Sequence, residues 1–220
     1  MRPLLLLRPE PGLSASAGRG REMGLEIICC PLFKVEPTAW ELPDPSAYDA
    51  LLLTSANAVR HGGPGLGLLT ALPVHAVGEA TAEAARQAGF RVESIGTGES
   101  AALLASLPAS LRLLHLAGEH HQPAKTSPHA ETRIVYRSAE IADPGLPDPA
   151  GLVAAVHSPR AGRRLAELVT GRGRTAIAAI STAAAAACGI GWERVEAADQ
   201  PSDSHLLALA GRLCHTPVPR

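Results

Sequence analysis

Short apolar runs recur along the chain: PLLLL (3–7), ALLLTS (50–55), PVHAVGEA (73–80), LRLLHLAGE (111–119), VAAVHSPRAG (153–162) and TAIAAIS (175–181). Their apolar parts hardly alternate with polar residues, which is the pattern of strands covered on both faces in a parallel sheet. LEIICCPLFKVEP (25–37) reads as extended chain interrupted by Pro31, and FRVES (90–94) and WERVEAA (192–198) as further strands. Helical segments lie between them: LSASAGRGREMG (13–24) with Gly24 as its stop, ANAVRHGG from Ala56, and TAEAARQAGF (81–90) closed by Gly89. ESAALLASL (99–107), RRLAELVTGRG (163–173), TAAAAAC (182–188) and SHLLALAGRLC (204–214) complete the set. TRIVYRSAEI (132–141) does alternate and is expected to be an exposed, two-sided strand. Pro-rich loops, EPTAWELPDPSAYD and DPGLPDPAGL, and a loose polar stretch, HHQPAKTSPHAE, separate these elements. Strands alternating with helices indicate an α/β fold with parallel sheets.

A repeat lies inside this pattern. LLLTSANAVR resembles AAVHSPRAGR, and HAVGEATAEAARQAGF resembles AAISTAAAAACGIGW. Ser55 then faces Ser158 and Gly78 faces Ser181, both at an offset of 103 residues. Two ordered matches at one offset indicate two related α/β halves.

Four strand ends stand out: Thr54-Ser55-Ala56-Asn57, Val77-Gly78-Glu79-Ala80-Thr81, His157-Ser158-Pro159 and Ile180-Ser181-Thr182. Open parallel sheets bind ligands beyond the carboxyl ends of their strands. There, small residues admit an anion to the backbone N–H groups and hydroxyls add donors. The same residue types are also ordinary helix N-caps, and one turn can serve both purposes.

Composition narrows the ligand class. The 220 residues carry a net charge of −1, which argues against broad attraction to nucleic acid or an anionic membrane. Lys34 and Lys125 are the only lysines, so arginine supplies nearly all the positive charge. Aromatics make up only 3% of the chain, leaving Leu, Ala and Val to fill the core. Cys29, Cys30, Cys188 and Cys214 show no C-x-x-C spacing, so buried thiols are expected and no metal. No apolar run reads as a signal peptide or a membrane span, which leads to the expectation of a soluble cytoplasmic protein. Nucleophile elbows, phosphate loops and dinucleotide fingerprints are absent; GTGES (96–100) follows a strand but is too short a match. His120 and His121 lie in a polar loop beside Glu119 and read as solvated surface. Tyr136 shares the alternating strand with Arg133 and Arg137, where a packed core role competes with a place facing a cleft.

The series TSANAV, AVGEATAEAARQAGF, LLHLAG, IVYRS, VHSPRAG, AAIS…GW and A-x-x-P resembles the uroporphyrinogen-III synthase family across nearly the whole chain. The GW pair and the AADQPSD tail resemble forms found in some proteobacteria. The resemblance implies two doubly wound parallel-sheet lobes of related topology, joined by a two-stranded antiparallel ladder. One lobe would comprise 1–34 and 142–220 and the other 38–132, with 31–37 and 133–141 as the ladder. It implies a lyase that closes hydroxymethylbilane, a linear tetrapyrrole with eight carboxylates, into uroporphyrinogen III. Water is lost and the terminal pyrrole is inverted through a spiro intermediate. No cofactor, nucleic acid or membrane partner is implied, and a monomer is expected.

Carried onto this chain, the family's turns fall on Thr54, Ser55 and Ala56, on Gly78, Ala80 and Thr81, and on Ser158 and Pro159. Tyr136 matches the family's tyrosine, with the implied role of hydrogen-bonding the departing hydroxyl or a ring carboxylate. Arg8, at a strand end, could meet a carboxylate, and Arg60 is a weaker candidate one helical turn along. Many members have Gly-Pro-Thr-Thr where this chain has Ser181-Thr182-Ala183-Ala184, which shifts the hydroxyls to Ser181 and Thr182. HHQPAKTSPHA replaces an Arg and a regular helix after Gly118. The competing expectation is a two-lobed binding protein for a small polyanion, without catalysis.

Overall fold

The computed structural model describes residues 1–96, 100–121 and 130–217. Contacts divide the chain into two units, Met1–Lys34 with Glu140–Arg220, and Val35–Ala139. Each unit is an α/β sandwich built on its own sheet.

The first unit holds β1 (Leu4–Leu6), α1 (Gly12–Glu22) and β2 (Ile27–Cys29). β3 (Phe33–Pro37) begins in it and leads into the second unit. The second unit holds β4 (Ala50–Leu53), α2 (Ala56–His61), β5 (Val74–Val77), α3 (Glu79–Gln87), β6 (Val92–Gly96), α4 (Ser100–Ser106) and β7 (Leu113–Gly118). The chain leaves through β8 (Ala130–Glu140) and completes the first unit with β9 (Val153–Val156), α5 (Pro159–Leu168) and β10 (Ala176–Ala179). α6 (Thr182–Ala187), β11 (Arg194–Ala197) and α7 (Asp203–His215) follow.

The first sheet runs β11-β10-β9-β1-β2, with all neighbouring strands parallel. The second runs β3-β8-β7-β4-β5-β6, parallel from β8 to β6, and the β3–β8 pair is antiparallel. The repeat lands on equivalent places: β4-β5-β6 beside β7 corresponds to β9-β10-β11 beside β1. In each sheet the strand order reverses next to the repeated strand, between β7 and β4 and between β1 and β9. Such reversals open a crevice at the carboxyl edge of a parallel sheet.

The unalternating runs have the expected cause. Leu5, Leu7, Ala154 and Val156 face a cluster that includes Ala161 and Leu165 of α5 and Ala184 at α6. Leu4, Leu6, Val153 and Ala155 face α1 and α7 through Leu13, Leu206 and Ala210. In the second unit Leu51 and Leu53 pack with Ala58 and Ala82, whereas Ala50 and Leu52 pack with Leu103 and Leu104 of α4. Leu4–Leu7 and Leu51–Leu53 have 0% exposure, and burying each such side chain stabilises by about 1.5–3 kcal/mol. Arg2 and Glu193, 7% and 8% exposed, form a buried ion pair at 2.9 Å.

Some boundaries differ from the sequence reading. α5 starts at Pro159 rather than Arg163, because Ser158 caps it and a proline suits the first helical position. α3 starts at Glu79, two residues early, with Gly78 at φ +85° as its N-cap. Pro64–Leu69 is a 3₁₀ helix. Gly96 ends β6, and residues 97–99 of GTGES and 122–129 of the polar stretch lie outside the described residues.

Candidate active site

Alternation decides where the polar residues after each strand point. In the first unit Leu7 and Val156 belong to the α5/α6 face, so the residues that follow them, Arg8 and His157, turn to the α1/α7 face. There they meet Asp203, the first residue of α7. Arg8 Nη1 donates to Asp203 Oδ1 at 2.9 Å and to Ser16 Oγ at 3.0 Å. The Ser16 hydroxyl donates to the same Oδ1 at 2.6 Å, and His157 Nε2 lies 2.8 Å from it. Arg19 grips Oδ2 through Nε at 3.0 Å and Nη2 at 2.6 Å.

Burial works to raise the Asp203 pKa, but hydrogen bonds from Ser16, Arg19 and His157 bring it down to about 2. Burial lowers the His157 pKa despite the Asp203 carboxylate beside it. His157 is therefore neutral at pH 7, and two guanidiniums share one carboxylate. At the neighbouring strand ends Ser158 and Ser181 accept from the backbone N–H groups of Ala161 and Ala184 at 3.1 and 3.2 Å. Both serines are working caps, and their hydroxyl hydrogens have no acceptor among the described residues. Pro159 fills the first position of α5, and Thr182 is exposed at the start of α6.

In the second unit Ser55 accepts from Asn57 N–H at 3.2 Å as the cap of α2. Ala56 and Thr81 are buried at 9% and 5% exposure, so neither offers its side chain to a ligand; Ala80 is exposed. Gly78 takes a backbone conformation that favours glycine, which explains why the repeat has Gly here and Ser at 181. Arg60 is exposed and reaches only Asn57 Oδ1, at 3.5 Å. Arg133 pairs with Glu131, and Arg137 with Glu36.

Thr54 turns toward the α4 face of its sheet, where its hydroxyl lies 3.1 Å from His115 Nε2. His115 Nδ1 lies 3.4 Å from the Thr132 hydroxyl, and the His121 ring stands edge-on at 5.6 Å. Burial, with His121 nearby, lowers the His115 pKa to about 4, so this bridge carries a neutral imidazole. His121 is partly buried and its Nδ1 donates to the Gly118 carbonyl at 3.0 Å, in contrast to the solvated surface expected for it.

Tyr136 lies on the other face, placed by a bulge. Ala117 pairs with Ile134 but Gly118 pairs with Tyr136, so Val135 is an extra residue in β8. A bulge puts two consecutive side chains on one face; Val135 and Tyr136 accordingly pack against the same α2/α3 cluster. The Tyr136 ring rests on bare Gly118, where a Cβ would lie 2.5 Å from Tyr136 Cζ. Its hydroxyl has no hydrogen-bond partner among the described residues. His61 tilts against the ring at 6.3 Å and lines a groove of about 470 Å³ with Thr38, Trp40 and Gly63.

The family model described as HEM4, uroporphyrinogen-III synthase HemD, matches residues 14–208. The chain belongs to the uroporphyrinogen-III synthase family. Its activity is that of a cyclising lyase of tetrapyrrole biosynthesis, closing hydroxymethylbilane to uroporphyrinogen III. Uroporphyrinogen-III synthetase from Helicobacter pylori shares the fold, with a TM-score of 0.70 at 19% identity over 97% of this chain and all of that one. A mutant uroporphyrinogen III synthase from Thermus thermophilus matches 96% of this chain and 98% of that one, at 18% identity and a TM-score of 0.49. No curated protein matches the chain. Nothing supports the alternative of a non-catalytic binding protein.

Sequence reasoning missed Asp203, Ser16, Arg19, His115 and the packing role of Gly118. A histidine inside an apolar strand, LLHLAG, was a legible sign that polar partners stood beside it. Asp203 gave no sign, since it reads as an ordinary acidic residue in the first turn of a helix.

Proposed function

We propose that this synthase holds the substrate's carboxylates at the carboxyl edges of its sheets and that Tyr136 assists departure of the hydroxyl group. The observation that carries the reading is the free Tyr136 phenol, seated on Gly118 beside the strand-order reversal of the second sheet. The electron-rich pyrrole drives hydroxide out, and a phenol O–H can donate a hydrogen bond to the departing oxygen. No nucleophile is needed. Arg8, Ser158, Pro159, Ser181 and Thr182 in one unit supply donors or a close backbone approach. Thr54, Ser55, Ala56, Gly78, Ala80 and Thr81 do so in the other, with Ala56 and Thr81 acting through their backbone. Donors fixed in advance favour the folded, ring-inverting path over spontaneous closure without inversion.

We further infer a cytoplasmic monomer acting on a small molecule without a nucleic-acid or membrane partner. Among the described residues no helix is long and apolar enough to cross a membrane, and the net charge is −1. The test supplies enzymatically generated hydroxymethylbilane and resolves the oxidised uroporphyrin isomers. Isomer III should dominate with the wild type, and Tyr136→Phe should turn over several-fold more slowly at an unchanged melting temperature. Isomer I alone, formed at the uncatalysed rate, would defeat the reading; unchanged turnover in the variant would remove Tyr136 from it.

A further inference from the structure

We propose that Asp203 is a positioning residue: it holds the Arg8 guanidinium by one nitrogen so that the opposite edge stays open for a substrate carboxylate at the end of β1. The proposal rests on the function proposed above and adds how one carboxylate subsite is built. Arg8 is held only through Nη1, which contacts Asp203 and Ser16. Its Nε and Nη2 have no acceptor among the described residues. Those two nitrogens form the side-on fork that pairs with both oxygens of a carboxylate.

A flexible arginine would lose rotamer entropy on binding; one already clamped loses less. Gly12 lies over that same edge: a Cβ there would collide with Arg8 Nε and lie 2.5 Å from Cζ and Nη2, so the Nε/Nη2 edge is uncovered only because residue 12 carries no side chain. Reach is adequate, with the Arg8 side chain 28% exposed. Charge also favours an anion. Arg8 and Arg19 share the single negative charge of Asp203, and burial holds His157 neutral, leaving the cluster net positive. Its place is the β1/β9 strand-order reversal, where parallel sheets take ligands. Ser16 completes the geometry by accepting from Arg8 and donating to Asp203, so the carboxylate cannot swing away without losing the bonds it accepts from both.

The experiment is a double-mutant cycle on Arg8→Gln and Asp203→Asn, read as KM for hydroxymethylbilane and as Kd for uroporphyrin III by fluorescence. Each single variant should raise both constants about ten-fold, as expected for losing a charge-assisted contact, with kcat falling less than KM rises. Because Asp203 acts through Arg8, adding Asp203→Asn to Arg8→Gln should change neither constant further. The same factor for Asp203→Asn in both backgrounds would mean that it merely ties α7 to α1, and the proposal would be wrong. Unchanged constants in Asp203→Asn would end it as well. Should Asp203→Asn not fold, Gly12→Ala displaces the guanidinium without removing a charge. It should weaken binding in the wild type and not in Arg8→Gln, and any other result overturns the idea. If the wild type forms no isomer III, the catalytic reading fails, while the uroporphyrin Kd values still decide the Arg8–Asp203 coupling.

Discussion

Gly118→Ala separates a steric role from a backbone one. Gly118 does not adopt a positive φ, so alanine meets no backbone strain there, and reducing the unfolded chain's freedom would by itself stabilise by about 0.4–1 kcal/mol. The added Cβ, however, would lie 2.5, 2.6 and 2.8 Å from Cζ, Cε2 and Oη of Tyr136. Ordinary carbon contacts begin near 3.5 Å, so the ring must retreat by roughly 1 Å. Val135, at 0% exposure, packs beside it in the same cluster, which leaves little slack on that side. Overpacking of this kind costs about 1–3 kcal/mol and outweighs the entropic gain, for a net loss of about 1–2 kcal/mol. A displacement of that size would take the phenol out of the position proposed for it, and 1 Å of misplacement at a reacting group can cost on the order of 100-fold in rate. Urea unfolding and the isomer-resolved assay should show reduced stability and a fall in kcat at least as large as that of Tyr136→Phe. In Tyr136→Ala, which vacates the space, Gly118→Ala should restore stability. Unchanged kcat in Gly118→Ala would refute the placement of Tyr136 in the reaction.

Further predictions concern charge and capping. His115 has a folded pKa of about 4 against an ordinary value of about 6.5, so below pH 6.5 the unfolded chain takes up a proton that the folded chain refuses. Stability should fall by about 3 kcal/mol as pH drops from 6.5 to 4, and His115→Gln should flatten that limb in urea titrations. Glu193→Gln leaves the buried Arg2 uncompensated and should cost about 3–5 kcal/mol; a loss below about 1 kcal/mol would mean that the pair is hydrated. Ser158→Asp keeps an N-cap on α5, so stability should hold, whereas KM should rise because the new charge repels the substrate's carboxylates. An unchanged KM would leave Ser158 as a cap alone.

The strands were legible because their cause is local. A chain segment covered on both faces must be apolar at every position, and LLLL, LLL and VAAV record that directly. The 103-residue offset was equally readable, and it corresponds to matching strand positions in the two sheets. Hydroxyls at strand ends could be seen but not interpreted, since caps and anion receptors use the same residues; Ser55, Ser158 and Ser181 do cap their helices. What the sequence determined by itself was thus the α/β class, the doubled topology and the family. Tertiary structure decided the rest. One extra residue in β8 sets Tyr136 on Gly118, and bulges follow from strand pairing rather than from periodicity. Asp203 gathers Arg8 from 195 positions away, and His115 bridges Thr54 and Thr132 across three strands. Such contacts depend on which segments the sheet order makes neighbours, and no local pattern of apolar and polar residues encodes that.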